Sequence, residues 1–109
     1  MINIQRQFCP IDKTCWQWFA LNEGKVVGYV HAKRDESGLF VSNLFVEEAH
    51  RRQGIGKQLM ESVEELAREE GFFGVRLQVD PAITDLDFYH SQGYWCLGTI
   101  HTYGKKLGG

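Results

Sequence analysis

Hydrophobic and polar residues alternate along several short stretches of this chain, and this pattern predicts strands. Residues 2–8, INIQRQF, alternate apolar and polar positions, as expected for a strand with one buried face. A turn at residues 22–25, Asn-Glu-Gly-Lys, joins two β-rich stretches into a predicted hairpin. The predicted strands are residues 2–8, Cys15–Leu21, Val26–Lys33, Leu39–Val46, Phe73–Val79 and Tyr94–His101. We expect the tail that follows, GKKLGG, to be frayed.

The hydrophobic period becomes helical in the second half of the chain. Apolar residues recur at Ile55, Leu59, Val63, Leu66 and Ala67, the spacing of an amphipathic helix. This helix is predicted from about Arg52 to Glu70, with Gly71 just after its end. Its outer face, expected to be solvated, carries Glu61, Glu64, Glu65, Arg68 and Glu69, in which Glu64 and Arg68 form an i,i+4 pair. A shorter second helix is predicted to run to Ser91, with Thr84 or Asp85 as its cap and Gly93 at its end.

The order of these elements is β, β-hairpin, β, α, β, α, β. It indicates one mixed α/β (α+β) domain over residues 1–109, with a sheet of about six strands flanked by helices.

Composition and charge narrow the function classes. The chain is 43% hydrophobic and 24% charged, which is typical of a folded soluble domain. Its formal net charge of −2 disfavours general nucleic-acid binding. The three cysteines do not indicate a disulfide scaffold, and the four histidines show no metal-ligand spacing, so we expect no metal. No apolar stretch is long enough for a signal peptide or a membrane span, and we expect a cytoplasmic protein.

The stretch RRQGIGK, residues 51–57, combines basic residues, two glycines and a predicted helix start. The first four N–H groups of a helix lack intrahelical partners, and the helix dipole adds positive charge there. Gly54 and Gly56 would let an anion approach the backbone closely, while Arg51, Arg52 and Lys57 add charge. The stretch therefore predicts a pyrophosphate cradle.

Two common nucleotide motifs do not fit this stretch. A Walker A loop would need glycine at Arg51 and Ser or Thr at Gln58, and a dinucleotide fingerprint would need glycine at Leu59. A simpler interpretation is that the two glycines only form a tight strand–helix turn. Basic residues at a helix N-terminus are unfavourable without a bound anion, which favours the binding interpretation.

The pattern Arg51-x-x-Gly54-x-Gly56 resembles the acetyl-CoA signature of the GNAT superfamily of N-acetyltransferases, as does the lead-in LFVEEAH. The resemblance covers roughly residues 15 to 103. It implies a mostly antiparallel sheet that splays at the cofactor strand, where the pantetheine arm of acetyl-CoA would pair with backbone groups. The cofactor-binding positions that it implies are Leu44, Phe45, Val46, Arg51, Arg52, Gln53, Gly54, Ile55, Gly56 and Lys57.

The segment FYHSQGY, residues 88–94, resembles a later motif of the same family. The resemblance makes Tyr89 the general acid that protonates the leaving thiolate, when an amine attacks the thioester directly. The N–H of Val46 or a neighbour would stabilise the oxyanion. The simpler interpretation of Tyr89 is that it has no catalytic role and is a helix residue that packs on the sheet. Many members carry an Asn and an Ala where this chain has Ala82 and Asp85, which puts one cofactor contact in doubt.

The general base is left open by the sequence. Some family members carry a Glu on the cofactor strand, but here no carboxylate precedes Glu47. The candidates are His31, Asp80, Glu47 or a chain of water molecules, and no base is needed if the amine arrives partly deprotonated.

The connection at residues 9–14 leaves room only for a loop where the family usually has one or two helices. This shortened N-terminal region, together with a large aromatic set, predicts an open acceptor site or one completed by a second copy in a homodimer. The acceptor would be a primary amine on a small molecule or a protein. Two alternatives stay open: a CoA-binding or phosphate-binding module of the same fold without turnover, and a nucleic-acid-binding domain that uses Arg51, Arg52, Lys57, Lys105 and Lys106.

Overall fold

The computed structural model of the chain describes residues 2–8, 14–36, 38–79, 85–96 and 102–107. Its strands are β1 (Ile2–Phe8), β2 (Cys15–Asn22), β3 (Lys25–Asp35), β4 (Gly38–Val46), β5 (Gly74–Gln78), β6 (Trp95–Cys96) and β7 (Thr102–Lys106). Its α-helices are α1 (Ile55–Glu69) and α2 (Leu86–His90), and a short 3₁₀ helix spans Glu48–His50. No helix within the described ranges is long and apolar enough to cross a membrane.

The strands form one sheet in the order β1-β2-β3-β4-β5-β7-β6. Strand β4 pairs in parallel with β5, and the other neighbours pair antiparallel. The predicted mostly antiparallel α+β fold is therefore confirmed. The sheet has seven strands rather than six. The two-residue strand β6 lies within the last predicted strand, and β7 is an additional strand further along the chain.

Helix α1 packs its apolar stripe against one face of the sheet. The buried residues of this layer include Trp18, Val30, Leu39, Ile55, Leu59, Met60, Val63 and Val75. The helix ends as predicted, because Gly71 adopts the left-handed conformation at φ 72°. The Gly71 N–H then donates to Arg68 O, and the Phe72 N–H donates to Ala67 O at 2.8 Å.

The predicted start of α1 at Arg52 is wrong, and the helix begins at Ile55. Arg52 and Gly54 have φ values of 63° and 81°, which are left-handed and incompatible with a right-handed helix. These two residues belong to a loop that turns sharply between β4 and α1.

The predicted frayed tail is also wrong for residues 104–107. Gly104–Lys106 belong to β7, which pairs with β5 from Gly74↔Lys106 to Gln78↔Thr102. Leu107 is buried, and its N–H donates to Phe73 O at 3.0 Å. Part of the predicted strand Tyr94–His101 forms β6, while residues 97–101 lie outside the described residues.

The outer face predicted for α1 needs one correction. Glu64 is buried at 3% exposure, whereas the four other residues of that face are exposed. Its predicted pair with Arg68 is present, with 3.8 Å between Arg68 Nη2 and Glu64 Oε1.

The large aromatic set is only partly buried, as expected for a chain of this length. Trp16, Trp18 and Tyr103 lie in the core, while Phe45, Phe73 and Trp95 stay 43%, 65% and 58% exposed.

Candidate active site

The sheet opens between its two parallel strands. Strand β4 pairs with β5 only from Leu39↔Val75 to Val41↔Leu77. Directly after Val41, Ser42 is an extra residue in the register with β3, because Ala32 pairs with Val41 while His31 pairs with Asn43. Such a bulge bends a strand and increases its twist. The remaining residues of β4 therefore stay with β3 and diverge from β5.

The open edge of β4 presents backbone polar groups. The Glu47 N–H donates to Val27 O at 2.8 Å, so Val27 and Glu47 occupy a hydrogen-bonded position of the register between β3 and β4. Along two antiparallel strands, hydrogen-bonded pairs of facing residues alternate with pairs that are not hydrogen-bonded. The backbone groups of Leu44 and Val46 belong to the second kind, so they point away from β3 and toward the opening. The Val46 carbonyl accepts a hydrogen bond from Arg51 Nε at 2.9 Å, which ties the following loop to this strand.

The loop after β4 carries N–H groups without partners among the described residues. Within the described part of the chain, the N–H groups of Arg52, Gln53 and Gly54 make no hydrogen bond. Gly54 is the N-cap of α1 and provides no side chain to satisfy the first turn, which contains no acidic residue. A Cβ built on Gly54 would meet no atom within 4 Å. The helix N-terminus is thus open, unsatisfied and basic, as an anion site requires.

Helix α2 places Tyr89 opposite this loop. Asp85 caps the helix, since its side chain accepts from the Phe88 N–H at 3.3 Å, which confirms one of the two predicted caps. The Tyr89 ring lies edge-on to Phe88 at 4.9 Å and to Tyr94 at 6.1 Å between centroids. A Cβ on Gly56 would approach Phe88 Cζ to 3.1 Å, so glycine allows α1 and α2 this close approach.

Burial raises the pKa of Tyr89 to about 12. The hydroxyl therefore stays protonated at neutral pH and can donate a hydrogen bond. Within the described residues it has no hydrogen-bond partner of its own.

These elements enclose a cleft of about 760 Å³. Among the predicted residues, the cleft is lined by Leu44, Phe45, Val46, Arg51, Arg52, Gly54, Ile55, Gly56, Lys57 and Tyr89. Gln53 belongs to the same loop but does not line the cleft. Asp80 and Ala82, named as a base candidate and as the departure from the family's Asn, lie outside the described residues.

The cleft also contains residues that the sequence analysis did not assign to it, namely His50, Asp85, Phe88, Ser91 and Gln92. Asp85, Phe88, Tyr89 and Gln92 have the spacing of one helix face, so helical periodicity around Tyr89 could have identified most of them. His50 had no such signal, because it lies in the 3₁₀ helix after β4. No group of three potential metal-binding side chains occurs among the residues that the structure describes.

Comparison with known proteins identifies this architecture. The sequence profile of the family described as "Acetyltransferase (GNAT) domain" matches residues 13–95. Human N-acetyltransferase 8 is 34% identical over 101 residues, a match that covers 86% of this chain and 44% of that protein. This chain thus spans less than half the length of that relative.

Solved structures agree on the fold. An aminoglycoside acetyltransferase from an uncultured soil metagenomic sample superposes with a TM-score of 0.79 at 21% identity, covering 91% of both chains. The PaiA N-acetyltransferase from Thermoplasma acidophilum, solved in complex with coenzyme A, gives a TM-score of 0.78 at 19% identity, covering 86% of this chain and 62% of that one. With its parallel strands splayed beside a basic helix N-terminus and a family match over most of its length, this chain belongs to the GNAT acetyltransferase family.

Proposed function

We propose that this chain is an acetyl-CoA-dependent N-acetyltransferase that transfers the acetyl group to a primary amine of a small molecule or protein. One observation carries the proposal: the cleft joins an open, basic helix N-terminus to the outward backbone edge of β4 and to Tyr89. Family membership and the relative solved with coenzyme A support the same donor.

The residues of the cleft suit the two ends of this donor. The unsatisfied N–H groups of residues 52–57, with the charges of Arg51, Arg52 and Lys57, would hold the pyrophosphate. Gly54 leaves open space at the position that a phosphate would approach. The outward backbone groups of Leu44 and the N–H of Val46 would pair with the amide groups of the pantetheine arm, while the Val46 carbonyl holds Arg51.

The chemical step is direct aminolysis of the thioester. The amine lone pair attacks the carbonyl carbon, the C–S bond breaks, the nitrogen loses a proton and the sulfur gains one. Tyr89 is the group that meets the sulfur in this proposal. Because burial raises the pKa of Tyr89 to about 12, its hydroxyl stays protonated and can donate to the sulfur as the C–S bond breaks. In this proposal Tyr89 is the general acid that gives the sulfur its proton, and the proton that the nitrogen loses restores the tyrosine hydroxyl.

Two candidates for the general base lie among the described residues. His31 on β3 faces Asn43 on β4, and its ring packs against Tyr29 at 5.5 Å between centroids. Glu47 follows β4 directly, and its Oε1 lies 3.5 Å from His50 Nδ1. We propose His31 as the first to test, because Asn43 lies two residues beyond the point where β4 leaves β5.

The test measures transfer and binding separately. The protein is mixed with acetyl-CoA and a panel of amines: a peptide with a free N-terminus, a peptide with an internal lysine, and spermidine. Release of the CoA thiol is followed, and the acetylated product is identified by mass. Tyr89→Phe should lower kcat about 100-fold while acetyl-CoA still raises the melting temperature.

Three outcomes separate the alternatives. Acetylated amine together with a slow Tyr89→Phe variant supports the proposal. Acetyl-CoA binding without any acetylated amine would favour a non-catalytic binding module. An unchanged kcat in Tyr89→Phe would remove Tyr89 from the chemistry. The homodimer stays a separate prediction, based on the exposed Phe45, Phe73 and Trp95, and a monomer in sedimentation at micromolar concentration would contradict it.

A further inference from the structure

A buried carboxylate lies beside the proposed active site without lining it. Glu64 on α1 is 3% exposed and contacts partners that are distant along the chain. The Tyr94 hydroxyl donates to its Oε2 at 2.8 Å, and Lys105 Nζ on β7 donates to its Oε1 at 3.1 Å. Arg68, one turn further along α1, adds a longer contact at 3.8 Å. Both carboxylate oxygens are therefore engaged.

Stability alone is a poor explanation for this cluster. Removing the Glu64 carboxylate from water costs free energy that its attraction to the part-buried Lys105 only partly offsets, so apolar side chains of similar size often do as well. An aromatic ring without a hydroxyl at position 94 would fill the same core space. Buried polar clusters of this kind instead fix one arrangement of the groups around them.

The group next to the cluster is Tyr89. The Tyr94 N–H donates to the Tyr89 carbonyl at 3.0 Å, and the two rings meet edge to face. Helix α2 has only five residues, too few to hold its own geometry, so its orientation depends on such anchors. Glu64 holds the Tyr94 side chain from α1, and Lys105 holds Glu64 from β7.

We propose that Glu64 is a positioning residue for acetyl transfer: through Tyr94 it fixes the orientation of the Tyr89 ring in the cleft. Glu64 does not line the cleft, and its effect passes through the Tyr94 hydroxyl. This proposal rests on the proposed function, because orientation of Tyr89 matters only where its hydroxyl takes part in the reaction.

The kinetic test uses Glu64→Gln and Tyr94→Phe, each alone and combined with Tyr89→Phe. Glu65→Gln is the matched control, since Glu65 is the exposed neighbour on the same helix. We expect Tyr94→Phe and Glu64→Gln to lower kcat about tenfold, with KM for acetyl-CoA within about twofold of the parent, because small displacements of a catalytic group reduce rate steeply. In the Tyr89→Phe background the same changes should have less than about a twofold effect, since no hydroxyl remains to be oriented.

A structural role would give a different pattern. Equal losses of kcat in both backgrounds, or kcat within twofold of the parent in Tyr94→Phe, would overturn the proposal. If Glu64→Gln fails to fold, Tyr94→Phe still decides, because it keeps the ring and removes one hydroxyl.

A second readout is independent of turnover. With tyrosine rings labelled with ¹³C, the Tyr89 resonance should move in Tyr94→Phe and Glu64→Gln but stay in place in Glu65→Gln. An unmoved Tyr89 resonance in Tyr94→Phe overturns the proposal even if no acceptor has been found. A parent protein that acetylates no amine would instead count against the proposed function, while the resonance still tests the coupling.

Discussion

Gly54 and Gly24 allow a matched test of where acetyl-CoA binds. Both glycines have left-handed backbones, with φ values of 81° and 82°, and a Cβ at either position meets no atom within 4 Å. A non-glycine residue in this conformation costs roughly 1–2 kcal/mol. We therefore expect Gly54→Glu and Gly24→Glu to lose similar stability, although Gly54 lines the cleft and Gly24 lies in the β2–β3 turn.

Acetyl-CoA should separate the two variants. At 100 times its dissociation constant a ligand adds about 2.7 kcal/mol, which corresponds to a rise in melting temperature on the order of 10–20 °C for a domain of this size. A glutamate at position 54 would place a carboxylate beside the phosphates. Two like charges about 4 Å apart repel by about 4 kcal/mol at an effective dielectric constant of 20, which exceeds the gain from binding.

The assay is a thermal melt of the parent and both variants, with and without acetyl-CoA. The parent and Gly24→Glu should show the same rise in melting temperature, and Gly54→Glu should show none. A full rise in Gly54→Glu would refute the placement of the phosphates at the α1 N-terminus. No rise in the parent at millimolar acetyl-CoA would refute the binding of this donor altogether.

Three further predictions test the site and the fold. Because burial raises the pKa of Tyr89 from 10.0 to about 12, its contribution to stability is complete below pH 10 and is lost as the pH rises through 12. Between pH 9 and pH 11 the free energy of unfolding, measured in urea, should therefore fall by about 1 kcal/mol less in Tyr89→Phe than in the parent. An equal fall in both proteins would contradict the raised pKa of Tyr89. Arg52→Gly should raise the free energy of unfolding by about 1 kcal/mol, because glycine adopts the left-handed φ of 63° without strain. The same variant should bind acetyl-CoA more weakly and with less dependence on salt, as measured by titration calorimetry. Leu107→Ala should lower the free energy of unfolding, measured in urea, by about 2–3 kcal/mol, since Leu107 is buried. A change below about 0.5 kcal/mol would instead support the frayed tail that the sequence predicted.

The loop that lines the candidate cleft could be predicted because its information is local. The glycines, the basic residues and the helical period all lie within residues 51–67. What they predict depends on the backbone of this one segment. The splay of β4 from β5 came only through the family resemblance. In the structure the physical cause of this splay is the bulge at Ser42. The residue type at position 42 does not predict an extra residue in the register.

The two main errors of the sequence analysis share one cause. Glu64 lies at the edge of the apolar stripe of α1, between Val63 and Ala67, so its spacing alone fits either a solvated or a buried position. What buries it are Tyr94 and Lys105, which lie 30 and 41 residues away along the chain. Treating residues 104–107 as a frayed tail removed Lys105 from the sheet, and the carboxylate then had no partner that could compensate its burial.

A strand signal for β7 was present but weak. A Cβ on Gly74 would approach the Lys105 carbonyl oxygen to 2.6 Å, so Gly74 marks the close approach of a neighbouring strand. The sequence TYGKK itself is short, polar at its end and interrupted by glycine, and it has little β propensity beyond its first two residues. Its antiparallel pairing with β5 and β6 makes it a strand.

This difference between local and long-range information separates the two halves of the proposed reaction. Binding of the donor depends on backbone N–H groups whose direction is set by two or three dihedral angles in one loop, and glycine reports those angles in the sequence. In the proposed mechanism, the hydrogen bond to the leaving sulfur depends on the orientation of Tyr89. Glu64 on α1 would fix this orientation through its contact with Tyr94, and Lys105 on β7 would hold Glu64 in place. A related chain that keeps the glycine loop but lacks the partners of Glu64 should therefore bind acetyl-CoA as tightly and transfer the acetyl group more slowly. Grafting Glu64, Tyr94 and Lys105 together into such a chain should raise kcat without changing the dissociation constant, whereas grafting Glu64 alone would bury an uncompensated charge and destabilise the fold.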